Sequence, residues 1–502
     1  MSDQDVEAAL KSSAKLVVVE APAGCGKTFQ ATQYARAAAR DIGDGRVLML
    51  AHTHAACDTF ARGTRESCGR VDIRTIDSLI DRIAGAYHQV LGLPPDVGFW
   101  VQRRKDGYDQ LAAKVAGLLH ASPIIARSLA QRYPVIICDE HQDASAAQHE
   151  VAMALHRGGA LLRVFGDPMQ RIYGSKGKSA VEADRHRWEA LKAEAEAFGT
   201  LDVPHRWSGG SESLGQWILS ARSALRAGGQ VDLRRNLPPG ASVVFAENRA
   251  PNPTRYLLEP IDARPIYAME KAKDSLLVLA SQNATVDALR GFFGGRMPIW
   301  EGHVRERLLA LVGQIEDGGG VPTTVAKALV TFLSGVATGF TPSAFGDILV
   351  SEVSDGCVSK RRGKPASLQA LGRIILDQPD HKGVAKVLKR LSELSAADQA
   401  FSSVRIDYPR EFWDAVTMGQ FDDPNEAFAG LARRRVHARP SPPRKAISTV
   451  HKAKGLECRN VLIIPCDARH FGDTPAARCC LYVALSRARH SLALVVSRQA
   501  RV

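Results

Sequence analysis

The stretch KLVVVEAPAGCGKT, residues 15–28, decides the fold. Residues 15–21 form a short valine-rich apolar run, which reads as a buried strand. APAGCGKT (21–28) follows as a tight loop, and 29–40 carries helical spacing. Strand, glycine loop and helix in that order make a phosphate cradle, here with Ala21 in place of its first glycine. The backbone N–H groups of Ala23, Gly24, Cys25 and Gly26 can close around phosphate oxygens. Lys27 would place a point charge on the β and γ oxygens, and the Thr28 hydroxyl can ligate Mg²⁺. The helix N-terminus adds partial positive charge.

Outward from this loop, apolar runs at 46–53, 71–77, 133–140 and 161–167 read as further strands. Helical segments fall between them, as in a parallel sheet with helices on both faces. Residues 91–130 are helical and read as a small insertion. A second α/β pattern begins near 200, with strands at 242–248 and 275–282. A long amphipathic block over 304–440 interrupts it, and strands return at 446–450, 460–466 and 491–497. The basic, proline-rich stretch 431–446 reads as the return linker.

The chain has 502 residues, 45% hydrophobic and 24% charged, which suits a globular protein of several domains. A net charge of +13 favours an anionic partner such as nucleic acid. Nine scattered cysteines, with no C-x-x-C pair, suit a reducing compartment. No apolar run reaches membrane-spanning length, and no signal peptide is evident. A cytoplasmic location and no membrane association are expected.

VIICDEHQDASAAQ (135–148) drives a strand into a cluster of acids and amides. Asp139 suits Mg²⁺, and Glu140 can orient or deprotonate an attacking water. In FGDPMQRIYG (165–174), Gln170 can hydrogen-bond a γ-phosphate or its water. Read alone, that stretch suits a plain turn equally well.

These blocks occur in order with HRWS (205–208), TVHKAKGLE (449–457) and YVALSRAR (482–489). Together they resemble the successive motifs of the UvrD/Rep family of superfamily 1 DNA helicases. AHTHAA (51–56) and RTIDSL (74–79) occupy the places of two early strand-contact motifs. The resemblance implies an α/β fold with two RecA-like P-loop NTPase domains, each interrupted by a mainly helical insertion. The first domain would take 1–90 and 131–200 around the insertion 91–130. The second would take 201–303 and 441–502 around the insertion 304–440.

The resemblance further implies ATP and Mg²⁺ bound between the two domains. Lys27, Glu140, Gln170, Arg206 and Arg487 would serve catalysis, and Thr28 and Asp139 the metal. Arg206 and Arg487 match the arginines that reach the γ-phosphate from the second domain, although Arg206 could instead stack on Trp207. Glu457 matches a ribose contact and Gln4 an adenine-reading glutamine. Phe29 and His205 stand where the family often places an arginine and a tyrosine against the base. Thr53, His54, Thr75, Tyr173, His451 and Lys454 would face DNA.

The family's stacking aromatic and arginine after Tyr173 are here Ser175 and Lys176. A lost stacking platform is worth about 1–3 kcal/mol per base. The expected activity is ATP-dependent 3′→5′ movement on single-stranded DNA and at single-strand/duplex junctions. The compact form also resembles the helicase subunit of Gabija-type anti-phage systems. That likeness implies an alternative: a DNA-stimulated ATPase serving a partner nuclease of the OLD family.

Overall fold

The computed structural model describes residues 3–67, 69–102, 104, 106–173, 178–233, 236–250, 255–301, 305–424, 427–428, 431 and 442–499. Ser175, Lys176 and most of the linker at 431–446 lie outside them. The chain divides into two compact units, 1–297 with 442–502, and 298–441.

The first unit holds two parallel sheets. One contains β1 (Leu16–Glu20), β2 (Val47–Ala51), β3 (Val71–Thr75), β4 (Val135–Cys138), β5 (Leu161–Gly166) and β6 (Ala197–Thr200), in the order β3-β2-β4-β5-β1-β6. Every neighbouring pair is parallel. The other contains β7 (Ala241–Phe245), β8 (Leu276–Ala280), β11 (Lys445–Thr449), β12 (Cys458–Ile463) and β13 (Ala488–Val496), in the order β11-β8-β12-β13-β7. It is parallel throughout as well. The α/β class and the two parallel sheets of RecA-like P-loop domains are thus present.

Strand alternation explains the layers of the first sheet. Leu16 and Val18 face one core, with Leu48, Leu50 and Ile136. Val17 and Val19 face the other, with Val47, Met49 and Ile137. Helices α1 (Asp3–Lys11), α2 (Lys27–Asp41) and α3 (His54–Gly63) cover the second core, through residues such as Leu10, Tyr34 and Phe60. The first core takes α4 (Ile76–Ala86), α5 (Val97–Gln102), α6 (Gly107–Ala121), α7 (Pro123–Arg132), α8 (Ala146–Arg157) and α9 (Lys178–Glu194). Residues 91–130, expected as an insertion, therefore do not stand apart. Val97, Leu111, Val115 and Ala126 share one core with the central strands, because their apolar faces have nowhere else to be buried.

Helices α10 (Glu212–Arg226), α11 (Pro260–Ala272) and α12 (Asn283–Phe292) belong to the same unit, as does α19 (Pro475–Leu485). The second unit is mainly helical. It comprises α13 (Glu306–Asp317), α14 (Pro322–Val336), α15 (Asp347–Ser354), α16 (Lys364–Asp377), α17 (His381–Ala397) and α18 (Pro409–Met418). A two-stranded antiparallel pair, β9 (Ala337–Thr338) and β10 (Arg405–Ile406), ties its middle. Phe332, Phe345, Phe401 and Phe412 are buried within it. No helix among the described residues is long and apolar enough to cross a membrane.

Candidate active site

Parallel strands bring their carboxyl ends to one edge, and the loops there gather the site. The loop at 21–28 leaves β1, and Gly24 and Gly26 take φ of +76° and +84°, where a side chain would be strained. Space excludes one as well. A Cβ on Gly24 would meet the Arg206 Cβ and the Trp207 ring at 2.7 Å.

Lys27 opens α2 and is buried. Its ammonium lies 3.4 Å from Asp139 and pairs with Glu140, the two residues that follow β4. Glu140 holds φ +53°, a left-handed conformation that costs a non-glycine residue about 1–3 kcal/mol. That turn lifts the chain off the strand and leaves the two carboxylates side by side against the lysine. Burial pulls the Lys27 ammonium down, but Asp139 and Glu140 together hold it up. Burial pushes Asp139 up to about 6, against the pull of Lys27. For Glu140, Lys27 and Lys454 outweigh burial and keep the carboxyl well below its usual range.

A second tier of polar groups continues from Glu140. The Gln142 carboxamide donates to Glu140, and its oxygen accepts the Asp167 backbone N–H at 3.0 Å. The Asp167 carboxylate accepts from Gln170 Nε2 at 3.0 Å and from Arg222 at 2.7 Å. Arg222, on α10, also reaches Glu20 at the end of β1, at 2.7 Å. Glu20, Asp167 and Arg222 are all buried. Burial pushes the Glu20 carboxyl up, but Arg222 and Arg226 outweigh it and hold it low. Tyr482, on α19, closes the chain by accepting the Ala23 backbone N–H at 2.8 Å. Gln170 is thus tied through its side chain to Asp167.

Both arginines expected at the phosphate have partners. Arg206 donates to Ser486 O at 2.6 Å and pairs with Glu457 at 2.7 Å, and its guanidinium carbon lies 5.5 Å from the Trp207 ring centroid. Its Nε is buried with no acceptor among the described residues. The Arg206 backbone N–H donates to Gly24 O at 3.0 Å, and the Trp207 indole to Ala488 O at 2.7 Å. Trp207 therefore pins this segment between the phosphate loop and β13. Arg487 is buried and donates to Val483 O, Leu456 O and Ser486 Oγ, all in the second sheet's own surroundings. Burial, reinforced by Arg206 alongside, lowers it to about 10.

The candidate base-binding residues gather near the start of α2. Phe29 is 63% exposed there. His205 Nε2 meets Asp3 Oδ2 at 2.6 Å, and its ring lies 3.2 Å from where a Gly26 Cβ would stand. Gln4 follows Asp3 on α1 with an exposed side chain. The strand-contact candidates divide. Thr53 and Thr75 cap α3 and α4, accepting from Ala56 N and Ser78 N at 3.2 and 3.1 Å. Thr75 is buried, so its hydroxyl serves the helix rather than solvent. His54 opens α3, but its side chain lies outside the described residues. Tyr173 donates to His451 O at 2.6 Å, and Lys454 pairs with Asp143 and donates to Gln170 O at 2.7 Å.

Sequence reasoning missed Glu20, Arg222 and Tyr482 as members of the site. Only Tyr482 carried a signal, as the first residue of a motif already quoted.

The fold and the site define the class: a P-loop NTPase with two RecA-like domains. Residues 3–228 match the AAA domain family, and 446–495 match the UvrD-like helicase C-terminal domain. The chain is also similar to RecBCD enzyme subunit RecB of Mycolicibacterium smegmatis, 36% identical over 72 residues, 14% of this chain and 7% of that protein. RecB of Escherichia coli is 28% identical over 109 residues, 21% of this chain and 9% of that protein. The matches therefore span less than a tenth of either relative. Together they support a UvrD/RecB-like helicase of superfamily 1.

Proposed function

We propose that the chain is a Mg²⁺-dependent ATPase that drives 3′→5′ movement on single-stranded DNA. The observation that carries this reading is the cluster of buried Lys27 and Asp139 with half-buried Glu140 beside a glycine loop, with Arg206 against that loop. The donor set suits the ligands: the buried Lys27 ammonium, the Arg206 Nε and one Asp139 oxygen have no hydrogen-bond partner among the described residues, and two glycines let the loop close tightly. Thr28 and Asp139 would hold Mg²⁺, which supplies charge neutralisation at the phosphates.

In this reading Lys27 leaves the two carboxylates and binds phosphate oxygen. Glu140, freed from the lysine, orients the attacking water and accepts its proton. Gln142 joins Glu140 to Asp167, so a shift at the acids is felt at Gln170. Lys454 and Tyr173 connect that turn to the segment after β11. Movement on DNA would follow from those linked shifts.

A DNA-stimulated ATPase assay tests the core of the proposal. Lys27→Ala and Glu140→Gln should each lower turnover at least a hundredfold, and undiminished turnover would overturn the reading. Strand displacement on 3′- and 5′-tailed duplexes tests polarity. ATPase without displacement would favour the second reading, a motor or sensor subunit beside a nuclease, of the OLD family if the chain is Gabija-like. The replacement of the stacking aromatic by Ser175 supports that alternative.

A further inference from the structure

A cavity of about 230 Å³ lies beside the acidic strand end, between α9, the turn at 168–170 and the start of α19. Gln142 forms part of its wall, and most of the surface comes from apolar atoms of Met169, Leu191, Leu225 and Pro475. Two polar groups in this wall lack partners. Trp188 is 6% exposed, yet its indole N–H finds no acceptor among the described residues. The Arg171 Nε–H has none either. An unmet buried donor costs about 1–3 kcal/mol, so a small turn of either side chain toward an acceptor in the cavity would be favourable.

The charge balance has the same sense. Arg171 and Arg187 share the single carboxylate of Asp184. Of the five arginines that line the cavity, Arg226 and Arg478 pair with Glu20 and Asp473 outside its wall, which leaves Arg171, Arg185 and Arg187 beside the two carboxylates. Glu189, the other carboxylate, pairs with Lys192. Arg187 also spends a donor on Ala144 O at 2.8 Å, but that carbonyl carries no full charge to offset the guanidinium. A partly buried wall with more guanidinium than carboxylate stabilises an anion.

We infer that this cavity binds a small organic anion with a flat apolar body, of the aromatic carboxylate class. Its charged oxygens sit at the arginine-rich side of the wall, where Arg171 and Trp188 turn their unmet N–H groups toward them, and its body lies on Met169, Leu191 and Leu225. An apolar pocket with a few convergent donors is the usual form of such sites. The inference does not depend on the ATPase reading, because its test reads binding directly.

The full chain is titrated calorimetrically with 1-naphthoate and with its neutral analogue 1-naphthalenemethanol. Naphthoate should saturate a single site and bind at least tenfold more tightly than the alcohol. Arg171→Met should remove that preference. Ala476→Trp, which closes the mouth from α19, should abolish binding of both. If that variant fails to fold by circular dichroism, Val181→Trp closes the mouth from α9. Equal affinity for acid and alcohol, or binding that survives a folded mouth-closing variant, would mark an adventitious additive only and overturn the inference. So would the absence of saturation at millimolar naphthoate.

Discussion

Arg222 shows how much one residue holds in place here. Its guanidinium joins Glu20, which precedes the phosphate loop, to Asp167, which anchors Gln170. Removing one partner from a buried ion group leaves charge uncompensated, at a cost of about 3–5 kcal/mol. Arg222→Met should therefore lower unfolding free energy by about that amount, read from the urea midpoint. Arg222→Lys should recover only part, because an ammonium cannot fork across two carboxylates. No local pattern in the sequence marks Arg222. Its partners lie 202 and 55 residues away, and within α10 it is one arginine on an amphipathic helix. Lys27 and Glu140, by contrast, are each marked by a local pattern, the glycine loop and the acidic end of an apolar run, although they lie 113 positions apart.

At the level of elements, the valine- and isoleucine-rich runs mark β1, β2, β4 and β5 to within two residues at each end. β6 was not legible, since AFGT is short and carries a glycine, and only its place beside β1 makes it a strand. Helices α5 to α7 were read correctly as helices but assigned to an insertion, because a sequence does not show which core an apolar face joins. The same limit hid the pairing of α8 with the turn before it. There His141 Nε2 meets His149 Nδ1 at 3.0 Å, both buried. Burial, and then Arg187, push His149 down from 6.5 to about 4, and burial with His149 pushes His141 well below its usual value. A histidine with a lowered folded value binds fewer protons folded than unfolded. Its contribution is complete above pH 6.5 and lost as pH falls from there toward 4. The loss for His149 alone is on the order of 2–4 kcal/mol. Melting temperature should fall more steeply over that window in the natural chain than in His149→Asn. Parallel curves would show that the histidine does not titrate with unfolding.

Across the whole molecule, buried groups tie distant segments of the first unit to its phosphate loop. Trp207 spans from Gly24 to Ala488, Arg222 from β1 to the turn after β5, and Tyr482 from α19 to Ala23. The phosphate loop is therefore shaped partly by residues hundreds of positions downstream. The Ala23 amide has a hydroxyl from α19 as its acceptor, and it gains access to solvent only when that hydroxyl withdraws. Its deuterium uptake is thus a clock for separation of the two sheets, readable in a single peptide by mass spectrometry. Tyr482→Phe should speed that uptake at least tenfold while leaving exchange in β2 and β4 unchanged. If uptake at Ala23 does not change, the loop keeps its shape without help from the far side of the cleft.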